Sequence, residues 1–180
     1  MNSALVSEHS ARNIREAGWR DPVALLVSLA LALGVAAVSG LATMGTVDGW
    51  YADAATTLWT PPNVVFGPVW MVLYTLMAIA AWLIWRSPRT TDRHRALALY
   101  AGGLALNAGW TPLFFLGYDF VGPLALWAAL VWIVVLGFVV LATLAAAWRV
   151  NKVAAVILVP YWAWLLFATA LNASLAVMNG

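Results

Sequence analysis

Five stretches of this chain contain no Asp, Glu, Lys, Arg or His: residues 22–47, 54–85, 96–118, 120–148 and 153–180. Each exceeds the roughly 20 residues that a helix rising about 1.5 Å per residue needs to cross a hydrocarbon core about 30 Å thick. With five such stretches in 180 residues, little chain is left to build a water-soluble core. Hydrophobic residues make up 64% of the chain and charged residues 9%, against about half and about a quarter in soluble proteins. Lipid is therefore the expected solvent for most of it.

Transmembrane strands are short and alternate polar with apolar residues, whereas LLVSLALALGVAAV and LWAALVWIVVLGFVVLATLAAA are apolar on every face. A helix satisfies its own backbone groups in lipid. The expected fold class is all-α, a polytopic membrane protein built as a five-transmembrane-helix bundle. The spans are placed near residues 22–42, 63–85, 96–116, 123–147 and 153–177, with a short N-terminal segment at 1–21, the bundle at 22–178 and one long loop at 43–62.

The nine basic residues give an orientation. Arg12, Arg15 and Arg20 precede the first span, Arg86, Arg89, Arg93 and Arg95 lie between the second and third, and Arg149 and Lys152 lie between the fourth and fifth. The alternate connections have no Lys or Arg. By the positive-inside rule the N-terminus is cytoplasmic and the C-terminus outside. The net charge of +2 thus reports topology, and no nucleic-acid partner is expected. The first twenty residues are polar and the apolar run behind them is long enough to span, so no cleavable signal peptide is expected.

What the spans lack narrows their chemistry. Ion-coupled transporters, pumps and channels for charged cargo usually carry ionisable groups at depth, and these spans have none. His9 and His94 fall in Arg-rich connections and there is no Cys, so no metal site is expected. Ser28, Ser39 and Ser174 have no neighbouring base to activate them for hydrolysis.

What the spans contain is Trp, twelve in all. Trp19, Trp50, Trp59, Trp82, Trp85 and Trp148 lie near span ends, where an interfacial aromatic belt accounts for them. Trp70, Trp110, Trp132 and Trp164 lie deeper, where an indole N–H needs a partner that lipid does not supply. They face other helices or a ligand. Asn107 and Asn172 are also at depth, either as hydrogen-bonding glue between helices or as polar contacts to a ligand.

Counting residues from the outer ends puts Trp70 about 12 Å down, Asn107 and Ala168 about 14 Å, and Trp164 about 20 Å. Phe66, Trp70, Tyr74 and Met77 share one helix face, as do Tyr161, Trp164, Ala168 and Asn172. Aromatic rings with one or two amides suit a flat, mostly apolar ligand. Pro68, Pro112 and Pro160 either kink their spans or free the carbonyls of Val64, Ala108 and Val156 to line a cavity. The loop at 43–62 carries Trp50, Tyr51 and Trp59 and ends in Pro61-Pro62, long enough to fold over the outer mouth as a lid. Ala101, Ala105 and Gly109 form a ridge of small residues suited either to packing within the chain or to a homodimer.

Three runs, WYADAATTLWTPPNVVFGPVWMVLY, LALNAGWTPLFF and VPYWAWLLFATALN, resemble in order and spacing the signature regions of the translocator protein family, called tryptophan-rich sensory proteins in bacteria. The resemblance implies a five-helix bundle in a bacterial cell membrane, binding tetrapyrroles such as protoporphyrin IX below the long loop, with porphyrin as ligand and no required cofactor. Carried over motif by motif, it implies ligand contacts at Tyr51, Pro61, Pro62, Trp70, Asn107, Trp110, Trp164 and Ala168, and Phe66 joins them from its shared face with Trp70. Trp70 and Trp164 match tryptophans linked in some members to light-dependent porphyrin breakdown. A transporter of porphyrins or other apolar cargo is the other alternative. The chain departs from the family at Val64, where many members have Trp. It also lacks the aromatic and Arg after the final Leu171-Asn172 on which animal-type sterol recognition depends.

Overall fold

The computed structural model describes residues 2–43 and 49–180, with side chains described from Asp21 onward except at Ala42. Five long helices carry the chain: α1 (Asn2–Thr43), α3 (Asn63–Arg86), α4 (Thr91–Phe115), α6 (Leu124–Val150) and α7 (Lys152–Asn179). Two short helices, α2 (Trp50–Asp53) and α5 (Gly117–Val121), lie in the connections at one end of the bundle. No strand occurs among the described residues. The fold is the all-α polytopic membrane bundle expected, and the long helices close into a ring. In it α1 packs on α3 and α4, α3 on α7, α7 on α6, and α6 on α4.

Four helices are apolar enough to span on length and composition alone, with mean hydropathies of 2.4 over Asp21–Leu41, then 2.0, 2.8 and 1.9 for α3, α6 and α7. Helix α4 is not among them. Its 25 residues would reach about 37 Å, but Gly102, Gly103, Asn107, Gly109 and Pro112 dilute its apolar character. It takes its place in the ring between α1 and α6 regardless, because its buried face meets other helices and not lipid.

Helix ends follow local chemistry that hydropathy does not register. Helix α4 begins at Thr91, ahead of the expected residue 96, because the Thr90 side chain caps it by accepting from the Arg93 N–H at 3.2 Å and Asp92 sits in the first turn. Asn151 caps α7 in the same way, accepting from Ala154 N–H at 3.1 Å. Helix α5 stops at Gly122, whose φ of 58° lies in the left-handed region that glycine tolerates. The backbone of α1 is helical from Asn2, so the expected boundary at residue 21 falls inside one continuous helix. The belt position expected of Trp19, and residues 44–48 of the expected lid, lie outside what is described.

The main core lies where α3, α6 and α7 meet α4, around Met77, Ile84, Ile133, Leu136, Leu158 and Leu165. Alanines recur in it (Ala78, Ala80, Ala96, Ala147, Ala154) and let the helices approach closely. A smaller cluster of Phe114, Leu126, Ala129, Leu175 and Ala176 packs under α2. Of the described side chains of α1, only Ala32 is fully buried.

Tryptophans tie the ring together through backbone carbonyls. Trp132 Nε1 donates to Leu106 O at 2.8 Å and Trp110 Nε1 to Ala129 O at 3.2 Å, both joining α4 to α6. Trp162 Nε1 joins α7 to α6 at Gly137 O, and Trp82 Nε1 joins α3 to α1 at Asp21 O. Prolines 68, 112 and 160 are accommodated within continuous helices.

Gly109, one of the three small ridge residues, is covered within the chain. A Cβ there would sit 2.9 Å from Trp132 Cζ2. Gly109→Ala is therefore expected to destabilise the bundle by about 1–3 kcal/mol through overpacking, measured by thermal unfolding in detergent. A Trp132→Leu background should remove most of that cost; an undiminished cost there would show that the indole is not its source.

Candidate functional site

At the end of the ring beneath α2 lies a cavity of about 470 Å³, within the range of about 300–1,000 Å³ usual for small-molecule sites. Among the described residues, none that carries a charge lines it. Helix α3 contributes Phe66, Trp70 and Tyr74, α4 contributes Asn107, Trp110, Thr111 and Phe114, and α7 contributes Trp164, Ala168 and Asn172. Tyr51 closes it from α2, and Ala36 and Gly40 present the small-residue face of α1.

The aromatic lining forms two sets, one on α3 and α7 and one on α4. On one side Trp70 meets Trp164 edge-on at 6.4 Å between ring centroids, Tyr74 at 5.5 Å, and Phe66 meets Trp164 at 6.0 Å. On the other Trp110 stacks on Phe114 at 4.9 Å and Phe114 touches Phe115 at the same distance. Rings of this kind present flat apolar faces with a polarised edge.

Asn107 is where three helices meet. The Tyr74 hydroxyl donates to Asn107 Oδ1 at 2.8 Å, and Asn107 Nδ2 donates to the Tyr161 hydroxyl at 2.6 Å. Each of the three residues is 2% exposed. Both polar atoms of this amide are thus engaged within the protein.

Elsewhere in the wall three buried polar atoms, Ser39 Oγ, Trp164 Nε1 and Asn172 Oδ1, have no hydrogen-bond partner, although Asn172 Nδ2 donates to Leu126 O at 3.0 Å. An unpaired donor and an unpaired acceptor in an otherwise apolar cavity cost free energy in the empty state and are available to a ligand. Helix α6 lines none of the cavity, yet its carbonyls at Leu126 and Ala129 orient Asn172 and Trp110, both of which do.

The lid is held at both ends. Trp50 stacks on Tyr118 at 4.0 Å and donates from Nε1 to Phe115 O at 3.0 Å. Asn179, at the last turn of α7, accepts from Ala55 N–H at 2.8 Å and donates to Ala55 O at 3.0 Å. Burial raises the Tyr51 phenol above its ordinary pKa, which keeps it a neutral donor. Asn179→Ala removes the second anchor and is expected to speed hydrogen exchange at the Ala55 amide by about fivefold, the worth of about 1 kcal/mol. Unchanged protection would show that the Trp50 end holds the lid alone.

Of the residues singled out from sequence, Tyr51, Phe66, Trp70, Asn107, Trp110, Trp164 and Ala168 meet around this one cavity. Pro61 and Pro62 do not line it. They set the extended entry into α3, with Pro62 at φ −56° and ψ 143° preceding the first helical residue. Val64, Ala108 and Val156, whose carbonyls the prolines free, are likewise outside the lining. Val64 is 78% exposed and faces away. Sequence reasoning missed Thr111 and Phe114, which continue the Asn107 face by one and two turns, and the whole α1 wall.

The TspO/MBR family profile matches residues 26–178. The chain is 40% identical to the translocator protein of Sus scrofa over 125 residues, covering 68% of this chain and 70% of that one. It is 34% identical over 155 residues to a tryptophan-rich protein TspO of Archaeoglobus fulgidus, covering 86% and 96%. To the tryptophan-rich sensory protein of Cereibacter sphaeroides it is 36% identical over 149 residues, covering 83% and 87%.

Proposed function

Because the chain belongs to the TspO/MBR family, a multi-pass membrane protein group that includes translocator and tryptophan-rich sensory proteins, we propose that it is a membrane sensor or regulator that binds a tetrapyrrole such as protoporphyrin IX beneath the α2 lid. The observation that carries this reading is a cavity lined by aromatic residues of α3, α4 and α7 and by no charged residue among those described, with Trp164 Nε1 and Asn172 Oδ1 unpaired in its wall. A planar macrocycle offers aromatic faces to the rings and peripheral or ring heteroatoms to the two polar atoms. The distribution of basic residues supports a cytoplasmic N-terminus, and on that reading the cavity lies in the outer half of the membrane.

Titration of protoporphyrin IX against tryptophan fluorescence tests it. Saturable quenching is expected in the protein, reduced at least about tenfold in apparent affinity in a Trp70→Phe, Trp164→Phe double variant, since two wall contacts are worth more than about 1.4 kcal/mol together. Unchanged emission, or the same quenching in the double variant, overturns it.

A light-dependent breakdown of bound porphyrin is the second reading, favoured by Trp70 and Trp164 standing 6.4 Å apart in the same wall. Illuminated, aerobic protein should then lose porphyrin absorbance faster than empty detergent does. Active transport has less support, because no span carries a group for ion coupling.

A further inference from the structure

At the Arg-rich end of the bundle, a second cavity of about 780 Å³ opens sideways between α1 and α4, with Ala81 of α3 as part of its floor. It shares no lining residue with the cavity beneath the lid. Along α1 it runs from Val23 to Val35, about 18 Å, close to the 15 Å or so of one leaflet's hydrocarbon. Its walls are apolar and small, with Ala24 on α1 and Ala101 and Ala105 on α4.

Arg93 stands next to the end of this slot, outside its lining. Arg93 is one turn before Leu97 and two before Ala101, on the row of α4 that lines the slot. Its Nη1 donates to Trp85 O at 2.9 Å and Ser87 O at 3.3 Å, which fixes the guanidinium beside Trp85, itself a lining residue. Its Nε is buried with no partner, and no carboxylate pairs with it among the described residues. The nearby Asp21 carboxylate is taken by Arg86 at 3.4 Å.

We propose that this slot holds one acyl chain of an anionic phospholipid, with the phosphate on Arg93. Basic pockets between membrane helices on one leaflet are suited to such headgroups. Charge favours a lipid over a second copy of the chain, since a parallel copy would bring the same Arg-rich end to a guanidinium with no carboxylate partner among the described residues.

Native mass spectrometry of the full-length protein, incubated with equal amounts of dioleoylphosphatidylglycerol and dioleoylphosphatidylcholine, tests the assignment. One bound phosphatidylglycerol is expected, preferred about fivefold over phosphatidylcholine, the worth of one basic group at an anionic lipid surface. Arg93→Gln should bring the preference to about one, Arg93→Lys should keep part of it, and Ala101→Phe should expel both lipids by filling the slot. Helix content by circular dichroism separates these effects from misfolding. Equal binding of the two lipids by the unaltered protein, or an unchanged preference in Arg93→Gln, overturns the proposal. So does displacement of phosphatidylglycerol by millimolar inorganic phosphate, which would make the site one for a free anion. Retained lipid with dimers converted to monomers in Ala101→Phe would assign the face to a second copy.

Discussion

Asn107→Leu is expected to lower the stability of the bundle by about 1–3 kcal/mol. Two buried hydrogen bonds end on this amide, and membrane double-mutant cycles value each at about 0.6 kcal/mol on average and about 1.7 at most. The upper part of the range applies here because Tyr74 and Tyr161 are each only 2% exposed and both lose a buried partner when the amide is gone. The loss is also concentrated geometrically. Tyr74, Asn107 and Tyr161 stand on α3, α4 and α7, so one substitution loosens three helices of the ring. Tyr161→Phe should cost about half as much, since it breaks one bond and leaves the other. Reversible unfolding in mixed detergent micelles reads both. If Asn107→Leu is as stable as the parent, the two phenols pair with each other and the amide is not the junction.

Much of this arrangement was legible in sequence, and the limits have physical causes. Charge-free stretches locate helices because lipid penalises charge at every depth, and α3 begins at Asn63 as expected. The same signal stops at the membrane surface. Residues 91–95 of α4 are helical and charged, and only the Thr90 cap announces them. The depths of Trp70, Asn107 and Trp164 follow from counting residues along rigid helices, and these side chains do meet. The pairing of Asn107 with two tyrosines does not follow, because it depends on the rotation of one helix against another, which no single helix encodes. Likewise the carbonyls of Leu106, Ala129 and Gly137 that receive indole N–H groups belong to ordinary apolar residues. The spanning part of α1 is apolar all round, so nothing in the sequence distinguishes the face with Ala36 and Gly40. In the sequence Arg93 is only one of the basic residues that report topology; its unpaired Nε appears once the helices are packed.

Trp164→Phe should separate stability from binding by moving them in opposite directions. In the empty protein the indole N–H is buried without an acceptor, a state that costs about 1–3 kcal/mol relative to a satisfied donor. Phe removes that donor and keeps an aromatic ring against Trp70 and Phe66, whose centroids lie 6.4 and 6.0 Å away. The empty variant should therefore unfold at the same temperature as the parent or slightly above it, with the smaller ring's lost contacts offsetting part of the gain. A ligand that uses the N–H loses a hydrogen bond formed away from water, about 1.5–3 kcal/mol if its acceptor is charged, or roughly 10- to 150-fold in affinity. Asn172→Leu is the matching experiment on the acceptor side, but there the Leu126 carbonyl also loses its donor, so stability and affinity should fall together. Thermal unfolding of the empty variants and porphyrin titration of the same preparations give the two axes. A Trp164→Phe protein that is clearly less stable yet binds protoporphyrin IX as tightly as the parent would mean that the indole packs the bundle and its N–H plays no part in recognition.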